Sequence, residues 1–402
     1  MNKVAIVSAD NYRLETVTAA LDNIFEKLGY DRDNPFGNLI RPGDQVFIKP
    51  NWVASRWRES CAHVDSLYSV ITHPAVIEAV ADKVAIALQG RGKIIIADNP
   101  SIDADFDELM QFIRIEHLKT KYDVPCEIYD LRPLVCEDLK YYGQRNKMAQ
   151  RPGDPQGSVE VNLGRESLLY GVDSHLFRGV FNEREETVAA HTGDTQLYTF
   201  SASLFNSDVF ISIPKLKTHQ KVGATLNMKG LVGAITQKNQ LVHWRVGYPE
   251  IGGDEYPNQQ EYEASKNAKV THRGAWPGND TIWRMVADLY KALHTKERRY
   301  FSVIDGIMAG EGQGPFCPTA KHANTLIASD SFLAADVAAV RYMGYDPYQI
   351  RYLEHFLSNG SISLDEIEIR SDNQYSDFFG TKTRYLDFKV TPQWEKLKYP
   401  LD

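Results

Sequence analysis

Short apolar runs recur along the chain, each followed by a stretch in which apolar residues return every three or four positions. Residues 4–8 are the first such run, and 14–28 follow at helical spacing (Leu14, Val17, Leu21, Ile24, Phe25, Leu28) up to Gly29, which suits a helix C-cap. A turn at 41–44 leads to a short apolar run at 46–48. Thr72 reads as an N-cap before Pro74 and a helical period over 76–88, and 94–97 is again strand-like. Further helices are predicted over 107–121, 281–293 and 332–343, and further strands over 209–213, 301–304 and 325–328. Strands that alternate with helices predict an α/β fold with a largely parallel sheet.

Four stretches depart from this rhythm. Residues 52–70 are polar, with Arg56, Arg58, His63 and Asp65, and are expected to lie over the surface or a site. Residues 131–197 are irregular and charged, and 248–278 form a long Gly-, Pro- and Tyr-rich loop of the functional or mobile kind. Residues 309–315 read as a Gly-rich loop that leaves Glu311 accessible. The expected organisation is two α/β domains, 1–130 and 199–345, with an active-site cleft between them. Residues 131–198 would be an insertion and 346–402 a tail packed on the core.

In such sheets ligands bind outside the carboxyl ends of the strands. Five predicted strand ends carry polar clusters: Lys49 and Asn51; Asp98 and Asn99; Lys215, Lys217 and His219; Asp305 and Glu311; and Asp330. Their convergence is the main reason to expect an active site.

Charge sharpens the picture at one place. The chain is acidic, with a net charge of −8, yet residues 209–249 hold five lysines, one arginine and two histidines and no Asp or Glu. Pro214 is expected to end the strand at 209–213, and a basic loop with Lys215, Lys217, His219 and Lys221 to follow. Lysines beside small residues suit a phosphate or carboxylate; a solvated basic face is the other reading. Lys229, in the apolar setting LNMKGLV, is either a desolvated lysine fit for covalent chemistry or a snorkelling one at a helix end. His219 and His243 could act as a general base or a metal ligand. Asp98, Asp305, Glu311, Asp330 and Asp336 could hold Mg²⁺, or merely make turns and caps; His73 is a ligand contact or a cap.

Overall acidity argues against nucleic acid as partner. The four cysteines form no C-x-x-C pair, so no iron–sulfur cluster or Cys-based zinc site is expected, and they read as reduced thiols of a cytoplasmic protein. No signal peptide or membrane span is expected either. The partner expected is a small anionic substrate; self-association into a homo-oligomer stays open.

The segments 46–51 (VFIKPN), 72–74 (THP), 208–219 (DVFISIPKLKTH), 225–233 (TLNMKGLVG), 305–315 (DGIMAGEGQGP) and 329–339 (SDSFLAADVAA) resemble, in order, the successive blocks of the family named domain of unknown function 362. Gly230 departs from the family, which more often has Asn there. The ferredoxin-like cysteines of some members are absent, and the 131–197 insertion is not typical. The order His219–x9–Lys229–x13–His243 is also similar to a block of the lactate racemase family. That resemblance implies His219 as acid/base, Lys229 as carrier of a nickel-pincer nucleotide, and His243 as a nickel ligand. It also implies an enzyme of racemase or epimerase type acting on a small hydroxylated anion, which Lys49, Lys215, Lys217, Asn51 and His73 would help to hold. Two alternatives stand beside it. One is a Mg²⁺-dependent enzyme on a phosphorylated metabolite, with Asp98, Asp305 and Glu311 at the metal. The other is a non-catalytic protein that binds a cofactor or anionic ligand.

Overall fold

The structure, a computed structural model, describes residues 1–56, 66–266, 273–373, 375 and 377–400. Arg58, His63, Asp65 and Cys61 of the polar 52–70 stretch lie outside the described residues.

A ten-stranded sheet forms the centre. Its strands are β1 (Asn2–Ser8), β2 (Gln45–Pro50), β3 (Lys93–Asp98), β4 (Cys126–Asp130), β5 (Val209–Ile213), β6 (Lys215–His219), β7 (Gly223–Ala224), β8 (Arg299–Gln313), β9 (Cys317–Ser329) and β10 (Ile367–Ser371). The order is β10-β1-β9-β8-β5-β2-β3-β4, with β6 beside β8 and β7 beside β6. The pairs β8–β5, β5–β2, β2–β3 and β3–β4 are parallel, so their carboxyl ends share one edge. β9 runs against both β8 and β1.

Period-two alternation splits each central strand between two cores. Val46, Ile48, Ile94, Ile96, Val209 and Ile211 pack with helices α1 (Leu14–Leu28), α2 (Pro74–Leu88) and α3 (Phe106–Ile113). Phe47, Ile95, Ala97 and Phe210 face the other way. There they meet the short helix α4 (Leu226–Gly230) and helices α5 (Ile282–Leu293), α6 (Phe332–Tyr342) and α7 (Arg351–Ser358). Apolar on both faces, β5 must be covered above and below and flanked at both edges. β2, from residues 1–130, and β8, from residues 199–345, supply its edges. The segments expected as two domains therefore share one sheet.

Several local expectations change. Gly29 caps α1 with φ 79°, as expected. His73 rather than Thr72 caps α2, its Nδ1 accepting from the Ala75 N–H at 3.1 Å; Thr72 Oγ1 instead accepts from Asn51 N and donates to the Ile213 carbonyl. The helix expected over 107–121 stops at Arg114, which takes φ 52°. The basic loop after Pro214 is strand β6, because β8 continues far enough to pair with it: Lys215 lies opposite Asp305 and Lys217 opposite Gly310. The Gly-rich loop around Glu311 is the end of 15-residue β8. Gly310 serves close approach, since a Cβ there would lie 2.5 Å from the Ser69 carbonyl oxygen.

In the 248–278 stretch, the Asp254 carboxylate gathers the backbone N–H groups of Arg245 and Asp280 and the Thr281 hydroxyl, which orders the described part of the loop. Cys126 and Cys136 are buried free thiols, but Cys317 is disulfide-bonded, which corrects the reading of four reduced cysteines. Spacing along the chain carries no signal for a pairing made by the fold.

Candidate active site at the carboxyl edge of the sheet

Four of the five polar strand ends meet at the shared carboxyl edge, and the fifth does not. Because β9 is reversed, Ser329 pairs with Ser302 near the start of β8, so Asp330 lies at the opposite edge and bonds to Tyr30. Glu311 lies further out along β8, where it accepts from Lys389 N (3.0 Å) and pairs with Lys321 (3.1 Å).

Two of the lysines at this edge are neutralised inside the protein. Lys49 Nζ sits 2.6 Å from Asp98 Oδ1, with both side chains buried. Asp98 also accepts from the N–H groups of Asn99 (2.8 Å) and Trp52 (2.6 Å). Lys215 Nζ sits 2.8 Å from Asp305 Oδ2 at zero exposure. The Tyr12 hydroxyl donates to Asp305 Oδ1 (2.8 Å) and accepts from Lys215 Nζ and Met308 N, while His73 N–H donates to Asp305 Oδ2 (3.0 Å). The His73 ring stacks on Tyr12 at 3.7 Å, and burial holds its pKa down at about 4. Asn51 is taken up in fixing the chain, its amide donating to the Val70 carbonyl at 2.7 Å. Asp98 and Asp305 therefore each have both carboxylate oxygens on protein donors. Among the described residues, no group of three or more His, Cys, Asp or Glu side chains is placed to hold a metal ion.

Among the described residues, the remaining lysines at this edge have no carboxylate partner. On β6, Lys215, Lys217 and His219 alternate with Leu216 and Thr218, so they share one face of the strand. Lys217 Nζ donates only to the carbonyls of Val70 (2.9 Å) and Pro315 (3.0 Å). Burial, together with Lys229 and Lys215, pushes its pKa well down. Among the described residues Lys229 has no hydrogen-bond or ion-pair partner, and its side chain is largely buried at 9% exposure; burial and Lys49 lower it to about 8. Lys221, partly exposed, lies over the Trp244 ring at 4.3 Å and is lowered to about 7 by burial and Lys229. Lys238 Nζ donates to the Asn99 carbonyl (3.0 Å) and is likewise lowered to about 7 by burial.

Lys229 is held from below. It rides on α4, where the N–H groups of Asn227 (3.0 Å) and Met228 (2.9 Å) and the Asn227 side-chain amide (2.8 Å) all donate to the Asp336 carboxylate of α6. Burial raises the Asp336 carboxyl to about 7, opposed by these three bonds. Gly233, on the turn after α4, lies against the Lys49–Asp98 pair so closely that a Cβ there would overlap Lys49 Nζ and Asp98 Oδ1.

The two histidines are set to opposite tautomers. His219 Nδ1 accepts from the Lys221 backbone N–H at 3.1 Å, so the neutral ring carries its proton on Nε2. His243 Nδ1 faces the Leu241 carbonyl at 2.7 Å and must donate, so its Nε2 lone pair is bare. Burial first, then nearby lysines, push both rings well below the usual histidine range, so both are neutral at pH 7. The arrangement thus offers ammonium groups for an anion, one imidazole N–H for an oxygen, and one imidazole lone pair for a proton or a metal.

His219, Lys229 and His243 lie in one centre, within range of each other's charge, with Lys217 beside them. Lys49, Lys215, Asp98, Asp305, Asn51 and His73 form the walls that hold it, and Glu311 stands apart. Lys238 escaped sequence reading because no motif surrounds it. Asp336 was visible only as a helical carboxylate; its role as an anchor needs the contact between α4 and α6.

The molecule is thus an α/β protein with a buried, cation-rich centre at the carboxyl edge of a mostly parallel sheet. The chain belongs to the family described as Domain of unknown function (DUF362), whose model matches residues 134–341. It is 23% identical over 353 residues to a thylakoid-associated protein of Synechocystis sp., a match covering 87% of this chain and 77% of that one. Among solved structures it is similar to a protein from Thermotoga maritima, at 12% identity and a TM-score of 0.40, covering 83% of this chain and 59% of the other. It is also similar to the lactate racemase apoprotein from Thermoanaerobacterium thermosaccharolyticum, at 12% identity and a TM-score of 0.36, covering 85% and 57%. The chain therefore spans less than two thirds of either solved structure's length. At these TM-scores neither likeness bears on the chemistry. Among the described residues, no helix is long and apolar enough to cross a membrane.

Proposed function

We propose that this chain is an enzyme of racemase or epimerase type that transfers a proton or hydride at the hydroxyl-bearing carbon of a small anionic metabolite. The observation that carries the reading is the environment of Lys229. Its side chain is largely buried and, among the described residues, has no hydrogen-bond or ion-pair partner, and it stands beside two neutral imidazoles of opposite tautomer.

In this reading Lys217 and Lys229 hold the substrate's anionic group. A buried cation without a partner gains most from an arriving anion, because its desolvation has already been incurred. His219 presents Nε2–H to the substrate oxygen. Its low pKa keeps it a neutral donor, as suits an electrophile that must not lose its proton to water. His243 Nε2 is the base. The acid/base role expected of His219 therefore moves to His243, because the Lys221 N–H occupies His219 Nδ1.

The nickel-pincer nucleotide implied by the sequence resemblance fits two features of the centre. The unpartnered Lys229 amine would carry it, and the bare Nε2 of His243 would ligate the metal. When bound, the group would supply a hydride acceptor, and the substrate's hydroxyl proton would leave to solvent water because His243 Nε2 is then engaged. In the absence of that group the same lone pair of His243 takes the proton.

The test is incubation of the natively purified protein with a panel of 2-hydroxy acids in D₂O, read by chiral chromatography, intact mass and nickel content. The reading expects inversion of configuration that is lost in His243→Ala. No inversion across the panel, with ligand binding that tolerates His243→Ala, would contradict it and leave a ligand-binding protein.

A further inference from the structure

Residues 131–198, expected as an insertion, close on the stretch that carries His243. Three consecutive backbone carbonyls there are taken up by three different side chains. Thr187 Oγ1 donates to the Asn239 carbonyl at 2.6 Å, His191 Nε2 to the Gln240 carbonyl at 2.7 Å, and His243 Nδ1 to the Leu241 carbonyl at 2.7 Å. Thr187 lies on the short helix Glu185–Ala190, His191 is the C-cap of that helix, and both are buried. The Gln240 side chain is fixed as well, its Oε1 accepting from Thr199 N at 2.7 Å.

The tautomer of His243 is set by the peptide joining Leu241 to Val242, because its carbonyl faces Nδ1. Both neighbouring peptides are pinned. The one joining Gln240 to Leu241 gives its carbonyl to His191 and its N–H to the Lys238 carbonyl at 3.2 Å. The one joining Val242 to His243 gives its N–H to the Arg178 carbonyl at 2.8 Å. Trp244 and Arg245 then pair with Arg178 and Phe177, and Val242 packs with Leu169 and Phe177. The His243 carbonyl accepts from the Asn279 side-chain amide at 2.9 Å. A planar peptide between two pinned neighbours cannot turn its carbonyl away without breaking one of their bonds. Gly179 leaves room for the row. A Cβ there would come within 3.0 Å of the Asn239 carbonyl oxygen and of Thr187 Oγ1, and 3.3 Å of the Leu241 carbonyl oxygen.

We propose that residues 131–198 are the positioning device of His243, and that Thr187 and His191 act through the carbonyl row at 239–241 to keep its proton on Nδ1 and its Nε2 bare. Both act through the backbone of another segment, so they are positioning residues. A neutral ring whose Nδ1 loses this acceptor can carry its proton on Nε2 instead, and an Nε2–H can neither take a proton nor ligate a metal. The inference rests on the reading of His243 Nε2 as the working atom of the centre and names what holds it ready.

The experiment is two-bond proton–nitrogen correlation NMR of the full chain, isotope-labelled at histidine, at neutral pH. His243 is assigned by the signals missing from His243→Gln. The wild type is expected to carry Nδ1–H at His243. Thr187→Val keeps the side chain's shape and removes the donor, and His191→Phe keeps a ring and removes the donor. Each should raise the Nε2–H share of His243 about 5-fold, the weight of one ordinary hydrogen bond. Thr187→Ser keeps the hydroxyl and should retain the wild-type tautomer. Gly179→Ala removes no bond and only presses on the row, so it decides the matter should the other variants misfold; its Nε2–H share should rise about 2-fold. Nε2–H at His243 in the wild type would overturn the proposal. So would the wild-type tautomer retained in every folded variant among Thr187→Val, His191→Phe and Gly179→Ala. A tautomer that shifts in the variants of a protein that inverts no substrate would keep this inference and drop the enzymatic reading. Inversion by the wild type, with the tautomer unmoved in the variants, would do the reverse.

Discussion

The carboxyl edge of the sheet holds two kinds of buried lysine. Lys49 and Lys215 each meet a carboxylate within 2.8 Å, and backbone donors saturate that carboxylate. Among the described residues the buried Lys217, Lys229 and Lys238 lie close by without one, beside the partly exposed Lys221. In the first kind the desolvation penalty is offset within the fold, so the pair is wall. In the second it is not offset, so the native state holds ammonium groups at a cost that an incoming anion removes. The two kinds are separated by their partners rather than by burial, since Lys215 and Lys217 are both fully buried.

The comparison breaks most visibly when a wall carboxylate is removed. Asp305→Asn leaves Lys215 without its counter-charge and should cost roughly 3–5 kcal/mol in urea unfolding. Gly233→Ala forces a methyl into the Lys49–Asp98 pair and should cost about 1–3 kcal/mol, with ligand binding lost as well. Lys229→Met removes an uncompensated cation and orphans nothing, so the protein should gain about 1 kcal/mol at pH 7 while its activity disappears. An equal loss of stability in Asp305→Asn and Lys229→Met would erase the distinction.

The smallest effect is a pH slope. Lys221, Lys229 and Lys238 have folded pKa values of about 7, 8 and 7, below the ordinary lysine value of 10.5. Between those values the unfolded chain binds more protons than the folded one, so stability rises with pH. The raised carboxyls of Asp288 and Asp336 act below about pH 7, and the raised thiols of Cys126 and Cys136 oppose the trend only as ordinary thiols begin to ionise. Lys229 alone should therefore add on the order of 1 kcal/mol to the ligand-free protein between pH 7 and 8.5. Differential scanning calorimetry across that range would show it.

Much of this was legible before the fold was seen. The runs at 46–48, 94–97 and 209–213 are apolar at successive positions, and burial on both faces is the physical reason they are strands. His219, Lys229 and His243 stood out because the acidic chain lacks acids there. What stayed hidden is what only strand direction and contact decide. The Lys-Leu-Lys-Thr-His pattern of β6 alternates as a strand should, but with polar residues facing inward it read as a loop. Asp330 looked like a fifth site residue until the reversal of β9 carried it to the far edge. Gly310 and Gly312 suggested mobility around Glu311, whereas Gly310 makes room for a neighbouring backbone. Lys49 and Lys217 have the same local appearance, and only the position of Asp98 tells them apart.

The central claim is that Lys229 is an unpartnered amine kept ready for a ligand. The most direct measurement is competitive acetic anhydride labelling of the full chain from pH 6 to 11, with Lys229 acetylation read by peptide mass spectrometry. A midpoint near pH 8 is the predicted result. A midpoint near the ordinary lysine value of 10.5 would contradict it.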